Sequence, residues 1–339
     1  MTKLGSFLVG LWWCLALGQT VWANGVTPDC SRITPVPWRA VAPGVWAWVP
    51  AQPSEVAPEN RGHALATVVI VQDGKALVVD PGPNYNHGWR VRASLHCRFA
   101  ARPVGVVNTH AHAKNVLANA AFGDLQHKGR LAIMASAGTG EAMRKRCPQC
   151  LQSLVQTLGK TVMLRTHIVL PDRVLAEGEV LTVGGLKVEV VVVSHAHTES
   201  DLMLWLPAQR VLLAGGLVYA GRLPEMAQGS MTGWLSALER ISALRPGVVV
   251  SDQVSVAINE QALPPAIEST QNYLLTLRQR LIHAMDRGVH GSETQTIAWP
   301  EYAKWVDFGA RQEFNVQRAW RELESEWMTA PLPAAPSSN

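Results

Sequence analysis

Residues 104–115, VGVVNTHAHAKN, and residues 188–202, VEVVVVSHAHTESDL, decide how this chain is read. Each is a run of valines with almost no polar interruption, the pattern of a strand covered on both faces. Each then breaks into a polar stretch carrying two histidines separated by one residue. His110 and His112 can both face one ion where the backbone is extended or turns, and neutral imidazole suits Zn2+. A single His-x-His is a weak signal. Two of them at the ends of two buried strands are harder to obtain by accident. His195 and His197 would share a face on a regular strand, so His195 is a possible neighbour of the same ion, packing or exposure being the alternative.

Working outward, ALATVVIVQ (64–72) and KALVVD (75–80) flank Asp73-Gly74, a pair typical of a two-residue hairpin turn. VAPGVWAWVP (41–50) reads as one short strand. RVRASLHCRFAAR (90–102) and LANAAFGD (117–124) read as helices, LAIMAS (131–136) as a strand, and residues 138–158 as a long helix. The second half repeats the plan. Strands occupy 173–206 with turns at Glu177-Gly178 and Gly184-Gly185, followed by RVLLAGGLVYA (210–220), a helix TGWLSALERISAL (232–244) with Thr232 as its N-cap, and a short strand GVVVSD (247–252). From about 262 onward the chain reads as helical, 266–288 and then 301–327. Two strand-rich blocks, each with helices, predict an α/β protein built as an αββα sandwich with additional C-terminal helices. No linker separates the halves. The predicted division is a leader over 1–23, a main domain over 24–262, a helical extension over 263–330 packed on the same domain, and a disordered tail over 331–339.

The 339 residues are 47% hydrophobic and 17% charged, with a formal net charge of +4, which suits a globular chain with a sizeable core. No run of Lys and Arg could track a phosphate backbone, which excludes nucleic acid as the expected partner. Lys3, the apolar run FLVGLWWCLALG and the small residue of VWA (21–23) have the order of a secretory signal with a cut after Ala23. The run is shorter than the ~20 residues of a spanning helix, so no stable membrane span is expected after cleavage. Four cysteines then remain, which allow three pairings. Cys147–Cys150 with Cys30–Cys97 is the favoured one. Alternatively, CPQC (147–150) is a redox motif or half a metal site.

The landmarks VVDPGP (78–83), NTHAH (108–112), AHTESDL (196–202), VLLAGG (211–216) and VVVSD (248–252) come in an order that resembles the metallo-β-lactamase superfamily. NRGH (60–63), NHG (86–88), GSMTGWLSALERISAL (229–244) and NVQRAWRELE (315–324) are similar to the periplasmic quinoprotein relay system zinc metallohydrolases. The resemblance implies a first metal site on His110, His112 and His197. It also implies that Asp80 holds a loop or a ligand histidine, and that His63 and His87 line the pocket or a surface loop. The second site of the superfamily needs an Asp and a His where this chain has Lys114 and Asn115, a bridging Asp where it has Gly216, and a late His where it has Ser251-Asp252-Gln253. The second site is therefore expected to be lost, with one Zn2+ remaining. Lys114 is expected to fill the space, paired with Asp252 or reaching solvent. As candidate catalytic residues, Lys114 would stabilise a developing oxyanion, and Asp252 would hold Lys114.

Three functions follow. The first is a periplasmic zinc hydrolase acting on a small molecule through zinc-bound hydroxide. The second is a catalytically degenerate binding or accessory protein of a quinoprotein dehydrogenase system. The third is a disulfide-exchange protein using CPQC. Ligand nitrogens converging within about 4 Å would suit zinc bonds of about 2.0–2.1 Å.

Overall fold

The computed structural model describes residues 28–51 and 55–329; the leader and the tail fall outside them. The first sheet has seven strands in chain order: β1 (Arg39–Ala42), β2 (Val45–Trp48), β3 (Thr67–Gln72), β4 (Lys75–Val79), β5 (Arg102–Val107), β6 (Ala132–Ala135) and β7 (Arg173–Val174). The second has six: β8 (Val180–Val183), β9 (Leu186–Ser194), β10 (Ser200–Leu206), β11 (Val211–Leu213), β12 (Val248–Val250) and β13 (Val254–Val256), again side by side in chain order. The helices are α1 (Tyr85–Phe99), α2 (Ala113–Val116), α3 (Gly123–His127), α4 (Ala137–Leu158), α5 (Met231–Leu244), α6 (Pro265–Asp286) and α7 (Phe308–Thr329).

The valine-rich strands are apolar on both faces because both faces are covered. Val68, Ile70, Leu77, Val79 and Val107 point between the sheets, where they meet Val188, Val190, Leu202, Leu204 and Leu213. The alternate residues Val69, Val78, Val106 and Ile133 pack outward under Val91, Leu95 and Phe122. On the far side Met203, Trp205, Leu212 and Val249 share a core with Trp234, Leu274, Leu277, Val316 and Leu323 of α5, α6 and α7. The result is the expected αββα sandwich with C-terminal helices added to one outer layer.

The hairpin at Asp73-Gly74 has φ of 49° and 66° at its two central residues, the left-handed pair that matches strand twist. Four local expectations are corrected. VAPGVWAWVP forms two strands, because Pro43-Gly44 turns the chain back and pairs Ala42 with Val45. LANAAFGD is divided between a 3-10 turn, Leu117–Ala121, and α3. Ser230, whose side chain accepts from the Gly233 amide, caps α5 in place of Thr232, whose hydroxyl is bonded to Glu326. The last helix starts at Phe308, after Asp307 takes a left-handed φ of 68°.

Cys30 and Cys97 form a disulfide that ties the N-terminal segment to α1. Cys147 and Cys150 are free thiols. Cys147 is buried with Ala111, Val116 and Met143, and Cys150 packs into a different cluster around Ala113 and Leu117. Burial pushes the Cys147 thiol up to about 12, far from the thiolate that disulfide exchange requires.

Candidate metal centre

Strands β4 and β5 run parallel, and β9, β11 and β12 run in one direction because β10 is antiparallel to both β9 and β11. The loops after these strands carry Asp80, His110 and His112, His197, Gly216 and Asp252. The two sheets are tied beside them: the Leu202 amide donates to Thr109 O (2.8 Å) and the Ala66 amide to Ser251 O (3.2 Å).

His110, His112 and His197 are buried, with ligand nitrogens within 4.8 Å of one another and ring centroids 4.8–5.0 Å apart. Each ring has one nitrogen engaged on its outer side. His197 Nδ1 donates to the backbone oxygen of Glu225 (3.0 Å). His112 Nε2 donates to Gln228 Oε1 (2.9 Å). The Thr109 hydroxyl gives its proton to Asp80 Oδ2 (2.6 Å), and its oxygen accepts from His110 Nδ1 (2.8 Å). The opposite nitrogens, His110 Nε2, His112 Nδ1 and His197 Nε2, are thereby left as lone-pair donors facing one point. His112 Nδ1 and His197 Nε2 lie 3.2 Å apart without a proton to share. Burial, with the nearby Lys114 ammonium, holds the pKa of all three histidines below its ordinary value, so they stay neutral. Such a donor set fits a divalent ion. The spread is wider than the expected 4 Å or so, and since His112 Nδ1 and His197 Nε2 are 3.2 Å apart, the long separations are those to His110. Asn115 Nδ2 makes a long contact of 3.4 Å to His110 Nε2.

Asp80 sits beneath the centre. Its oxygens accept from the Thr109 amide and hydroxyl. Burial raises its pKa to about 7, against the pull of those hydrogen bonds. His195 is exposed, because a φ of 51° ends the strand and separates it from His197. His63 and His87 belong to a separate cluster: the His87 ring stacks on Trp48 at 4.0 Å and His63 tilts against the same indole at 4.7 Å.

Lys114 is buried, and its ammonium bonds to Glu225 Oε2 at 2.8 Å. Neither expected alternative holds: the partner is Glu225 and not Asp252, and the side chain is buried and does not reach solvent. Asp252 is turned onto the Ser251 hydroxyl (3.1 Å), and its Oδ2 has no hydrogen-bond partner among the described residues. Glu225 lies in an ionic cluster that the sequence did not announce. Arg311 contacts Glu225 (3.2 Å) and Glu55, and the fully buried Arg222 contacts Glu55 and Asp307. Gly216 has a steric cause: a Cβ there would lie 2.2 Å from His197 Cδ2 and 2.5 Å from Nε2.

Residues 61–253 match the family model described as the metallo-beta-lactamase superfamily. No curated protein matches the chain. Among solved structures, a metallo-beta-lactamase from Pontibacter korlensis aligns at 17% identity and a TM-score of 0.53, covering 70% of this chain and 98% of that one. One from Hirschia baltica aligns at 15% and 0.53, covering 71% and 98%. One from Pseudomonas aeruginosa, in its mono-zinc form, aligns at 16% and 0.52, covering 74% and 98%. At these identities the likeness is one of fold.

Proposed function

Because the chain belongs to the metallo-β-lactamase superfamily, we propose that it is a hydrolase holding one zinc ion on His110, His112 and His197 and acting on a small molecule. The observation that carries this reading is the convergence of three imidazole lone pairs whose outward nitrogens are all engaged. A zinc ion there supplies Lewis acidity, polarising a substrate oxygen or lowering the pKa of a water to about 7.

A single ion is favoured by the residues beside the triad. Lys114 brings a positive charge where a second ion would need a carboxylate. Gly216 offers no ligand, and the His197 ring fills the space a side chain would enter. In this reading Lys114 is a positive donor for a developing oxyanion, held in place by Glu225. The disulfide between Cys30 and Cys97 and the signal-like leader support a periplasmic site of action. The landmarks NRGH and NVQRAWRELE support a role beside a quinoprotein dehydrogenase. The Lys114–Glu225 ion pair favours one competing reading, an accessory protein that binds a ligand in the same cleft without turning it over.

Metal analysis of the purified mature protein separates these. About one zinc per chain, lost in His112→Ala, is the expected result. A folded, zinc-free protein supports the accessory reading, and two zinc ions per chain overturn the single-ion one.

A further inference from the structure

The outward nitrogens of His112 and His197 are both held by one loop, residues 222–230, through Gln228 Oε1 and the backbone oxygen of Glu225. Such partners fix tautomer and ring orientation in metal-ligating histidines. What fixes the loop is a second question, and the answer lies about ninety residues further along the chain.

Arg311, Asn315, Arg318 and Glu322 are spaced four, three and four residues apart on α7, which puts them on one helix face. Arg311 bonds to the Glu225 carboxylate at 3.2 Å. Asn315 Nδ2 donates to Pro224 O (2.8 Å), and its Oδ1 lies 3.4 Å from the Met226 amide. Arg318 donates to Gly229 O (2.7 Å). The Glu322 carboxylate accepts from the Ser230 hydroxyl (2.7 Å) and the Met231 amide (3.0 Å). The loop's other side rests on the histidine segment, where the Ser230 amide donates to Ala196 O at 3.0 Å and Gly229 approaches so closely that a Cβ would lie 1.7 Å from that oxygen. The loop is thus caught between the His197 turn and the polar face of α7.

We propose that α7 is a positioning clamp for the metal centre: through Arg311, Asn315, Arg318 and Glu322 it holds loop 222–230 in the one conformation that presents Glu225 O to His197 and Gln228 Oε1 to His112. The proposal rests on the metal-centre reading above. It goes beyond that reading by assigning metal affinity to a helix that, among the described residues, makes no hydrogen bond to any of the three ligands. An open cavity of about 370 Å3 lies between the loop and the helix, lined by Glu55, Glu225, Met226, Arg311, Phe314 and Asn315. The loop can therefore shift once its hydrogen bonds to α7 are cut.

The test uses the full mature chain with Asn315→Ala, Arg318→Ala and the conservative Glu322→Gln. Leu95→Ala, in the core between α1 and the first sheet, serves as a control for lost stability alone. Zinc affinity is measured by chelator competition. The tautomers of the metal-free protein are read from 15N signals of selectively labelled histidine. Asn315→Ala and Arg318→Ala are expected to weaken zinc binding by about tenfold, the lower end for loss of a partner behind a ligand. They should also blur the Nδ1–H signal of His197 and the Nε2–H signal of His112. Glu322→Gln should retain most of the affinity, and Leu95→Ala should lower the melting temperature with affinity kept. Unchanged affinity and unchanged tautomers in both Asn315→Ala and Arg318→Ala overturn the clamp. If the parent itself takes up no zinc, the metal-centre reading falls, and the histidine signals alone decide whether α7 sets the tautomers.

Discussion

His112 owes its orientation to Gln228, 116 residues away in sequence. The amide oxygen pins Nε2–H and so leaves Nδ1 as the lone pair facing His197. Gln228→Ala removes that acceptor while leaving all three ligands in place. It should weaken zinc binding by about tenfold to a hundredfold, read by chelator competition, with the three-histidine stoichiometry unchanged. An unaltered affinity would mean that the ring is held by packing alone. His110, His112 and His197 were legible in the sequence because each sits where an unbroken valine strand gives way to polar residues. Gln228 and Glu225 were not. They lie in a loop, GRLPEMAQGS, whose composition is that of any solvated connection, and their roles arise only from where the fold places it.

The cluster around the loop between β11 and α5 makes a prediction at the scale of elements. Burial opposes ionisation of Glu55, but the charges of Lys114, Arg311 and Arg222 overcome it and hold the carboxyl at about 2 against 4.5 for the free group. A carboxyl depressed on folding stabilises the native state above its unfolded pKa, and that contribution disappears as protons are taken up. Stability should therefore fall as pH drops from about 4.5 towards 2. Glu55→Gln should flatten that part of the profile, as followed by urea denaturation midpoints. The same cluster shows where sequence reading stops. Arg222 and Glu55 are 167 residues apart, and Arg311 and Glu225 are 86 apart. Periodicity gives no sign that residues so distant meet, and an Arg in a loop looks solvent-facing until the fold buries it. The reading of Lys114 against Asp252 failed for this reason. A partner for a buried ammonium had to exist, but which carboxylate supplied it was a matter of long-range packing. By contrast, α4 was foreseen almost to its ends, and the Asp73-Gly74 hairpin exactly, because their signals are local.

For the molecule as a whole, the layered sandwich was legible from apolar runs that need cover on both sides. The cysteine pairing was half legible: Cys30–Cys97 was expected and is present, whereas Cys147 and Cys150 face different clusters. The disulfide closes a separation of 67 residues. On the loop-entropy model its loss costs about 4 kcal/mol. A Cys30→Ser, Cys97→Ser double variant should lose stability of that order in guanidinium titrations. Insensitivity would show that the unfolded chain is already constrained there. The histidines belong to different layers: His110 and His112 follow a strand of the first sheet, and His197 follows a strand of the second. An ion held by all three is a cross-link between the two halves of the sandwich, closed at the edge where backbone hydrogen bonds already stitch them. Linkage then runs both ways. Whatever withdraws the ion loosens the seam between the sheets, and whatever pries the sheets apart releases the ion, so loading doubles as a gauge of how tightly the halves are shut.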